Sequence, residues 1–278
     1  MTLPAISFVY ISNRPGSIDL LAVALGPQQN AHAPPYELVV VDGWDGRVER
    51  GEARRYLEVA GVPLGWYGPP KPRLYPFSHT GFVNAMNTGL LHCRGSHVVF
   101  LHDYTMIDPE PVRAWWDAFA AHPATLIHGT GVEYEVPAPA EPVGDVAAWP
   151  GQRVVGTPLR PWVPEEFEVG YWGGPLSYFE ATNGIDERAD FCAIWALDCV
   201  KAQARLHGYA LKVLPSLKVH MIDHHLWDPT DRKLPETTLW YTRGWVYNYP
   251  TTPEWTAWSA NDFHLAAERR RLTLGAGW

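Results

Sequence analysis

Short apolar runs alternate along this chain with longer segments that carry apolar residues at helical spacing. Two runs, residues 6–11 (ISFVYI) and 37–41 (ELVVV), flank a predicted helix over residues 17–25. Short β-branched runs without a helical period are typical of strands buried on both faces. Strand, helix and strand at this spacing form a βαβ unit with a parallel strand pair. The pattern therefore predicts an α/β fold.

The most informative run lies in residues 96–109, SHVVFLHDYTMIDP. Its apolar part ends abruptly in His102, Asp103 and Tyr104. Open parallel sheets bind ligands at the carboxyl ends of their strands, so this polar cluster is a candidate site. The alternative is a strand-to-loop turn in which Asp103 only caps backbone N–H groups.

A helix is predicted directly before that strand, over residues 82–93 (FVNAMNTGLLHC), and a glycine turn ends it. Asn84 and Asn87 are three positions apart and share one face of this helix. The local unit is therefore a helix, a short turn, a buried strand and an acidic end.

Weaker signals complete the pattern. They predict a short third strand within residues 65–75, an amphipathic helix at 109–121 with Trp115, Trp116 and Phe119 on its buried side, strands at 126–134 and 177–180, a long surface excursion at 135–167, a helix at 191–207, and a strand pair at 209–221 interrupted by Pro215. No G-x-G-x-x-G follows the first strand, and no P-loop occurs.

Composition narrows the functional classes. The 278 residues are 46% hydrophobic and 19% charged, which fits one large globular domain. The net charge of −8 argues against a broad electrostatic surface for nucleic acid or anionic membrane. The 14 tryptophans could stack on sugars or bases, although core packing is their default role.

The N-terminus begins with a structural strand, so we expect no signal peptide, and no apolar run is long enough to cross a bilayer. Cys93, Cys192 and Cys199 have no metal or redox spacing. An odd number of cysteines without an export signal predicts reduced thiols and a cytoplasmic location.

The segment NAMNTGLLHCRGSHVVFLHDY resembles the region around the metal-binding motif of GT-A glycosyltransferases of the family-2 type. That family shows an Asn-x-Gly helix, an Ala-x-Gly turn and a strand that ends in Phe-Leu-Asp-Asp-Asp. Here His102 and Tyr104 replace the outer two carboxylates, and only Asp103 remains.

Further matches follow in the family's order along the chain, roughly from residue 6 to residue 225. The Ser-Asn-Arg turn after the first strand and the Val-Asp-Gly end of the second strand are similar to its nucleotide-binding turns. The resemblance implies that Ser12 and Arg14 lie near the nucleotide and that Asp42 accepts a hydrogen bond from a uracil N–H. Asp42 could instead be a turn residue ahead of Gly43, and Arg14 a surface residue.

A second block, YWGGPLSYFEATNGIDE at residues 171–187, is similar to the family's Gly-Gly…Asn-Gly-Phe-Asp-Glu block beside the acceptor pocket, with Ile185 in place of Phe. The donor-binding residues implied are Ser12, Arg14, Asp42, Asn87, His102, Asp103 and Gly174. The catalytic residues implied are Glu187 and Asp198, with Asp198 as the base. Asp198 could also be an ordinary solvated helix residue.

His220 stands where the family often ends a strand with a metal-ligating His, close to Asp223, His224 and His225. It would share Mn²⁺ or Mg²⁺ with Asp103, although a lone strand-end His is more often structural. Three arginines near the C-terminus, in AERRRL at residues 267–272, could meet phosphates, but a solvated face is the favoured interpretation.

The resemblance implies a single GT-A domain over residues 1–278. It is a three-layer α/β/α sandwich with a mostly parallel central sheet and a small second sheet, divided into a donor half (1–108), an acceptor half (109–225) and an aromatic tail (226–278). The implied function is transfer of a sugar from a nucleoside diphosphate sugar, UDP-linked, to a hydroxyl of a glycan, protein or modified nucleobase, with inversion. Three alternatives stay open: a virus-type transferase acting on a modified DNA base, a metal-dependent phosphohydrolase, and an inactive protein that binds sugar nucleotides.

Overall fold

The computed structural model describes residues 3–12, 21–22, 24–28, 30–42, 54–55, 57–67, 82–102, 105–108, 110–135, 157–161, 171–186, 193–222 and 264–273. The strands are β1 (Ile6–Ser12), β2 (Tyr36–Asp42), β3 (Leu64–Tyr67), β4 (His97–His102), β5 (Thr105–Ile107), β6 (Thr125–Glu135), β7 (Thr157–Pro161), β8 (Tyr171–Pro175) and β9 (Ala210–Ile222). The helices described from end to end are α1 (Phe82–His92), α2 (Pro111–Ala121), α3 (Leu176–Ala181), α4 (Ala193–Leu206) and α5 (Leu265–Thr273).

The described strands form one sheet in the order β3-β2-β1-β4-β8-β6-β9-β5, with β7 beside β6. Pairing is parallel throughout β3-β2-β1-β4 and again between β6 and β9. Strand β8 is antiparallel to both of its neighbours, β4 and β6. The βαβ pattern of the sequence thus becomes a parallel block that continues into a mixed region.

Alternate residues of the buried strands point to opposite faces and build two separate cores. On one face Phe8 and Tyr10 of β1 belong to a cluster with Trp115 and Phe119 of α2. The other face carries α1, α3, α4 and α5, with Val9 of β1 in its cluster. The predicted α/β class and three-layer arrangement are confirmed.

Three local predictions differ from the structure. Residues 177–180 lie in helix α3 and not in a strand, because Leu176 and Phe179 bury one face of a helical turn that starts after Pro175. Trp116 is only half-buried, since it lies beside the stripe of α2 that faces the sheet. The predicted excursion at 135–167 contains β7, which pairs with the end of β6.

The predicted interruption at Pro215 proves to be a register shift inside one long strand. Gly129 of β6 pairs with Leu214, and the next residue, Thr130, pairs with Lys218, so β9 has three extra residues at this point. Such irregularities bend a strand and increase its twist. Beyond the shift the two backbones are very close, because a Cβ on Gly131 would lie 1.8 Å from the carbonyl oxygen of Val219.

The short connection from β4 to β5 shows how far the sheet bends. His102 ends β4 and Thr105 begins β5, so three Cα steps, at most about 11 Å, join the two strands. Strands β8, β6 and β9 stand between them in the sheet, which in a flat sheet would separate them by about 19 Å. The sheet therefore curves, and the end of β9, where Met221 pairs with Thr105, returns towards the end of β4.

A buried carboxylate fixes the opposite edge of the parallel block, where β1, β2 and β4 begin. The Ser7 hydroxyl donates to Glu37 Oε1 at 2.7 Å, and the Arg94 backbone N–H donates to the same oxygen at 2.7 Å. The Arg94 guanidinium contacts Glu37 Oε2 at 2.6 Å, and the Gly95 N–H donates to Ser7 Oγ at 2.8 Å. The turn after α1 is thereby tied to the first two strands.

The imidazole of His92, at the end of α1, stacks on the ring of Tyr67 with centroids 3.6 Å apart. Burial, and then the positive charge of Arg269, lower the pKa of His92 to about 4. This side chain is therefore neutral in the folded protein at neutral pH.

We expect Gly131→Ala to lower the free energy of unfolding by about 3 kcal/mol or more, because the added methyl group overlaps a backbone carbonyl that cannot rotate away. The matched control is Gly208→Ala. Gly208 also disfavours alanine, with φ of +76°, but nothing lies within 4 Å of the added Cβ, so about 1 kcal/mol should be lost. Urea unfolding of both variants measures this difference, and equal losses would contradict the close crossing of β6 and β9.

We expect the protein to lose stability as the pH falls from about 6.5 towards 4, because the unfolded His92 binds a proton that the folded His92 does not. This contribution is fully present above about pH 6.5. His92→Phe keeps the stack on Tyr67 and removes the titration. The unfolding midpoint in urea, measured from pH 7.5 to 5, should therefore fall less steeply in the variant. Parallel pH profiles would show that His92 is not the titrating group.

Candidate functional site

Three parallel strands end together at one edge of the sheet, which we call the carboxyl edge. Ser12, the last residue of β1, is in register with Asp42, the last residue of β2. Ile11 is in register with His102, the last residue of β4. The backbone thus brings Ser12, Asp42 and His102 to one place. The His102 side chain is 2% exposed, whereas the side chains of Ser12 and Asp42 lie outside what the structure describes.

The end of β9 lies at the same side of the molecule. Strand β9 runs parallel to β6, which through β8 runs in the same direction as β4. His220 pairs with Met106 of β5 and with Val132 of β6. Its backbone is therefore next to the strand that begins two residues after Asp103. Asp103 and Arg14 fall outside the described residues, as does the His220 side chain, and their roles remain predictions.

Asn87 lies in the middle of α1, and its amide is bonded at both ends to the backbone of one residue. Its Nδ2 donates to the carbonyl of Ile185 at 2.8 Å, and the Ile185 N–H donates to Asn87 Oδ1 at 2.9 Å. The side chain is fully buried. The structure therefore joins Asn87 to the acceptor-side block, and its predicted contact with the donor stays a prediction.

Gly174 is likewise away from the carboxyl edge. It pairs with Val98, near the start of β4, while Tyr171 at the other end of β8 pairs with Leu101. A Cβ on Gly174 would lie 2.3 Å from Leu126 Cδ2. The close approach that this glycine permits is made here by a core side chain, and its role in donor binding stays a prediction.

Residues 183–186, which we call the acceptor-side turn, follow α3 in a tight left-handed path. Asn183 has φ of +59° and Gly184 has φ of +81°. The hydroxyl of Thr182 contacts the carbonyl oxygen of Gly184 at 3.0 Å and that of Tyr178 at 3.1 Å. The turn ends in Asp186, which is 4% exposed. Glu187, the next residue and a predicted catalytic group, is outside the described part of the chain.

Asp198, the predicted base, lies in α4, although its side chain is not described. Helix α4 ends near the start of β9, because the Tyr209 N–H donates to the carbonyl of Ala204 and Ala210 then pairs with Thr125. It packs on β9 and runs back along it, so its first turns point towards the carboxyl edge. Asp198 is the sixth of the fourteen residues of α4, and its role as the base stays a prediction.

One structural residue of this region was missed in the sequence. The side chain of Arg269 is only 12% exposed, and it contacts Glu180 of α3 at 3.0 Å and the carbonyl of Leu90 in α1 at 2.6 Å. Arg269 also donates to the carbonyl of Cys93. The expectation that the arginines form a solvated face is therefore wrong for Arg269. The available signal was its spacing of four residues from the apolar Leu265, which places both on one helix face.

Solved structures resemble this architecture at low sequence identity. A mannosyltransferase from Pyrobaculum calidifontis in complex with GDP-Man and Mn²⁺ aligns with a TM-score of 0.50 and 15% identity, over 79% of this chain and 57% of that chain. S. aureus TarS 1-349 with UDP aligns with a TM-score of 0.51 and 13% identity, over 78% and 60%. The chain has the GT-A fold. GalNAc-T7 with UDP, GalNAc and Mn²⁺ aligns with a TM-score of 0.51 and 10% identity, over 79% of this chain and 43% of that one.

This GT-A chain spans between 43% and 60% of the length of those three structures. Its sequence matches no protein-family model and no curated protein. Within the described residues, no group of three or more His, Cys, Asp or Glu side chains could hold a metal ion. No helix in the same part of the chain is long and apolar enough to cross a membrane.

Proposed function

We propose that this protein is a glycosyltransferase that moves a sugar from a UDP-linked donor to a hydroxyl acceptor with inversion at the anomeric carbon. The observation that carries the proposal is the register of β1, β2 and β4, which brings Ser12, Asp42 and His102 to one edge of a GT-A sheet. Ligands of open α/β sheets bind in the crevice at the carboxyl ends of the strands. GDP-Man and UDP are present in structures that share this fold.

In this proposal the base of the donor lies over the ends of β1 and β2. Asp42 accepts a hydrogen bond from the uracil N–H, and Ser12 and Arg14 lie near the nucleotide. A carboxylate is the suitable acceptor because a hydrogen bond to a charged group is worth more than a neutral one, about 1.5–3 kcal/mol. The ring N3–H of uracil would donate to Asp42, whereas N3 of cytosine is an acceptor, so this contact would favour uracil over cytosine.

In this proposal a divalent metal is held by fewer carboxylates than an all-acidic motif would supply. Asp103 and His220 would hold Mn²⁺ or Mg²⁺, and the metal would neutralise charge on the departing diphosphate. The backbone pairing of His220 with Met106, three residues after Asp103, supports this pair of ligands. Because one carboxylate and one imidazole form a sparse donor set for a hard cation, binding of the metal alone should be weak.

The chemical step is a single displacement. The acceptor oxygen forms a bond to the anomeric carbon as the bond from that carbon to the diphosphate oxygen breaks. The acceptor proton passes to a carboxylate, with Asp198 as the base and Glu187 beside the acceptor. The direction of α4, whose first turns face the strand ends, supports Asp198 in this role. The protein's further contribution is to align the two substrates and exclude water.

We expect UDP to raise the thermal unfolding midpoint in a screen of UDP, UDP-glucose, UDP-GalNAc and GDP-mannose with Mn²⁺, because a ligand of the folded state stabilises it. Asp42→Ala should weaken UDP binding about 10-fold to 100-fold through the lost uracil contact. The matched control is Asp117→Ala, since Asp117 is an exposed carboxylate of α2 that pairs only locally with Arg113. Equal UDP affinity in wild type and Asp42→Ala would refute the uracil contact, and binding without turnover would favour an inactive binding protein.

We expect the gain in UDP affinity on adding Mn²⁺ to disappear in Asp103→Ala, because the remaining imidazole alone holds the ion too weakly. Titration calorimetry of UDP, with and without Mn²⁺, measures the gain in wild type, in Asp103→Ala and in the Asp117→Ala control. Tight Mn²⁺ binding that Asp103→Ala leaves unaffected would overturn the metal assignment. Release of free phosphate without any acceptor would instead support a phosphohydrolase.

A further inference from the structure

The acceptor-side turn is held by two helices that are distant from it in sequence. Helix α1 contributes Asn87, which precedes Ile185 by 98 positions. Helix α5 contributes the backbone N–H of Leu265, which donates to Asn183 Oδ1 at 2.5 Å across 82 positions. Leu265 itself is fully buried. The turn therefore lies between two supports, one from each helix.

The contact from α1 constrains both position and direction. Asn87 uses a donor and an acceptor on the N–H and C=O of the same residue, as a neighbouring strand would. A Cβ on Gly184 would lie 2.5 Å from Asn87 Oδ1, so the backbone is as close to the amide as a glycine permits. Two bonds in opposite senses fix the plane of the Ile185 peptide groups, and hence the direction in which Asp186 leaves the turn.

The contact from α5 is secured by Arg269, one turn further along that helix. Its guanidinium reaches Glu180 of α3 and the carbonyls of Leu90 and Cys93 at the end of α1. A cation at this place also suits the negative end of the α1 dipole. Arg269 therefore joins α5 to both elements that flank the turn.

We propose that Asn87 and Arg269 are positioning residues for the acceptor half of the reaction: they hold the acceptor-side turn in place and contribute nothing to nucleotide affinity. The inference rests on the proposed glycosyltransferase function. Asn87 acts through Ile185, and Arg269 acts through α3 and α5. Asn87 bonds the acceptor-side turn, and Arg269 bonds the end of α1 that leads into the start of β4, so the effect of each should fall on turnover and not on donor binding.

The test uses the full chain. The donor is the nucleotide sugar of the thermal screen that the wild type turns over, and water is the acceptor. Two quantities are measured: kcat from UDP or GDP release, and the Kd of the same nucleotide. Asn87→Leu is close in size and removes both bonds to Ile185. Its kcat should fall at least about tenfold, because a small displacement of an aligned group is costly, while Kd stays within about twofold.

The matched control for Asn87→Leu is Ser7→Ala. Ser7 also makes two buried hydrogen bonds, to Glu37 and from Gly95, but at the opposite edge of the sheet. This variant should lose thermal stability to a similar extent while kcat stays within about twofold of wild type, since distant sites act independently. A merely structural role of Asn87 would give both variants the same kinetic profile, which would overturn the inference.

Arg269→Met, with Arg270→Met as its control, keeps the test decisive if Asn87→Leu does not fold. Arg269 is mostly buried and Arg270 is exposed on the same helix. Arg269→Met should lower kcat with an unchanged Kd, and Arg270→Met should change neither. An unchanged kcat in Arg269→Met, or a matching loss of nucleotide affinity, overturns the inference. If the wild type binds nucleotide but turns over no donor, the proposed function and the inference are both overturned. If the wild type turns over donor and Asn87→Leu has the same kcat, the inference alone is overturned.

Discussion

The short connection between β4 and β5 is the constraint on which the rest of the site depends. Three Cα steps cannot span a flat sheet of the observed strand order, so the sheet has to curve until the end of β9 returns to the end of β4. The bend is made by three extra residues in β9 and by glycine at Gly131, where two backbones cross too closely for a side chain. The outcome is that strand ends from both halves of the chain face one region.

Buried polar side chains fix the pieces that the sheet leaves free. Glu37 holds the turn after α1 at the amino ends of β1 and β2, and its partners there are Ser7 and Arg94. Removing the Ser7 hydroxyl would leave the buried Glu37 carboxylate with one donor fewer, which costs about 1–3 kcal/mol. Within α1 itself, Asn87 takes the place of a backbone partner for Ile185. These contacts join elements between 30 and 98 positions apart, and hydrophobic packing alone would not define their register.

Stability and proposed chemistry occupy opposite ends of the same elements. The amino ends of β1, β2 and β4 are closed by the Glu37 network, and the carboxyl ends carry Ser12, Asp42 and His102. The helices are also divided between the two edges of the sheet. Arg269 donates to a carbonyl near the end of α1, at the amino edge, whereas the first turns of α4 face the carboxyl edge. Glycosyl transfer at the carboxyl edge would therefore take place on strands whose opposite, amino ends are held by the Glu37 network.

The local pattern was sufficient to determine the parallel block. Apolar runs at 6–11, 37–41 and 98–101, with a helix before the last, specify buried parallel strands, and parallel strands necessarily end at one edge. Polar residues that follow such runs could therefore be assigned to a common site from the sequence.

What only the tertiary structure decided was the use of side chains that act over long distances. Asn87 bonds the backbone of Ile185, and a Cβ on Gly174 would contact Leu126, and neither neighbour is close in the sequence. Arg269 was assigned to solvent because a charge run is usually solvated, and only the docking of α5 on α1 brings its partners within reach. Local propensity depends on neighbours in sequence, whereas the partner of a buried polar group is set by how the elements pack, so the latter cannot be read from the pattern.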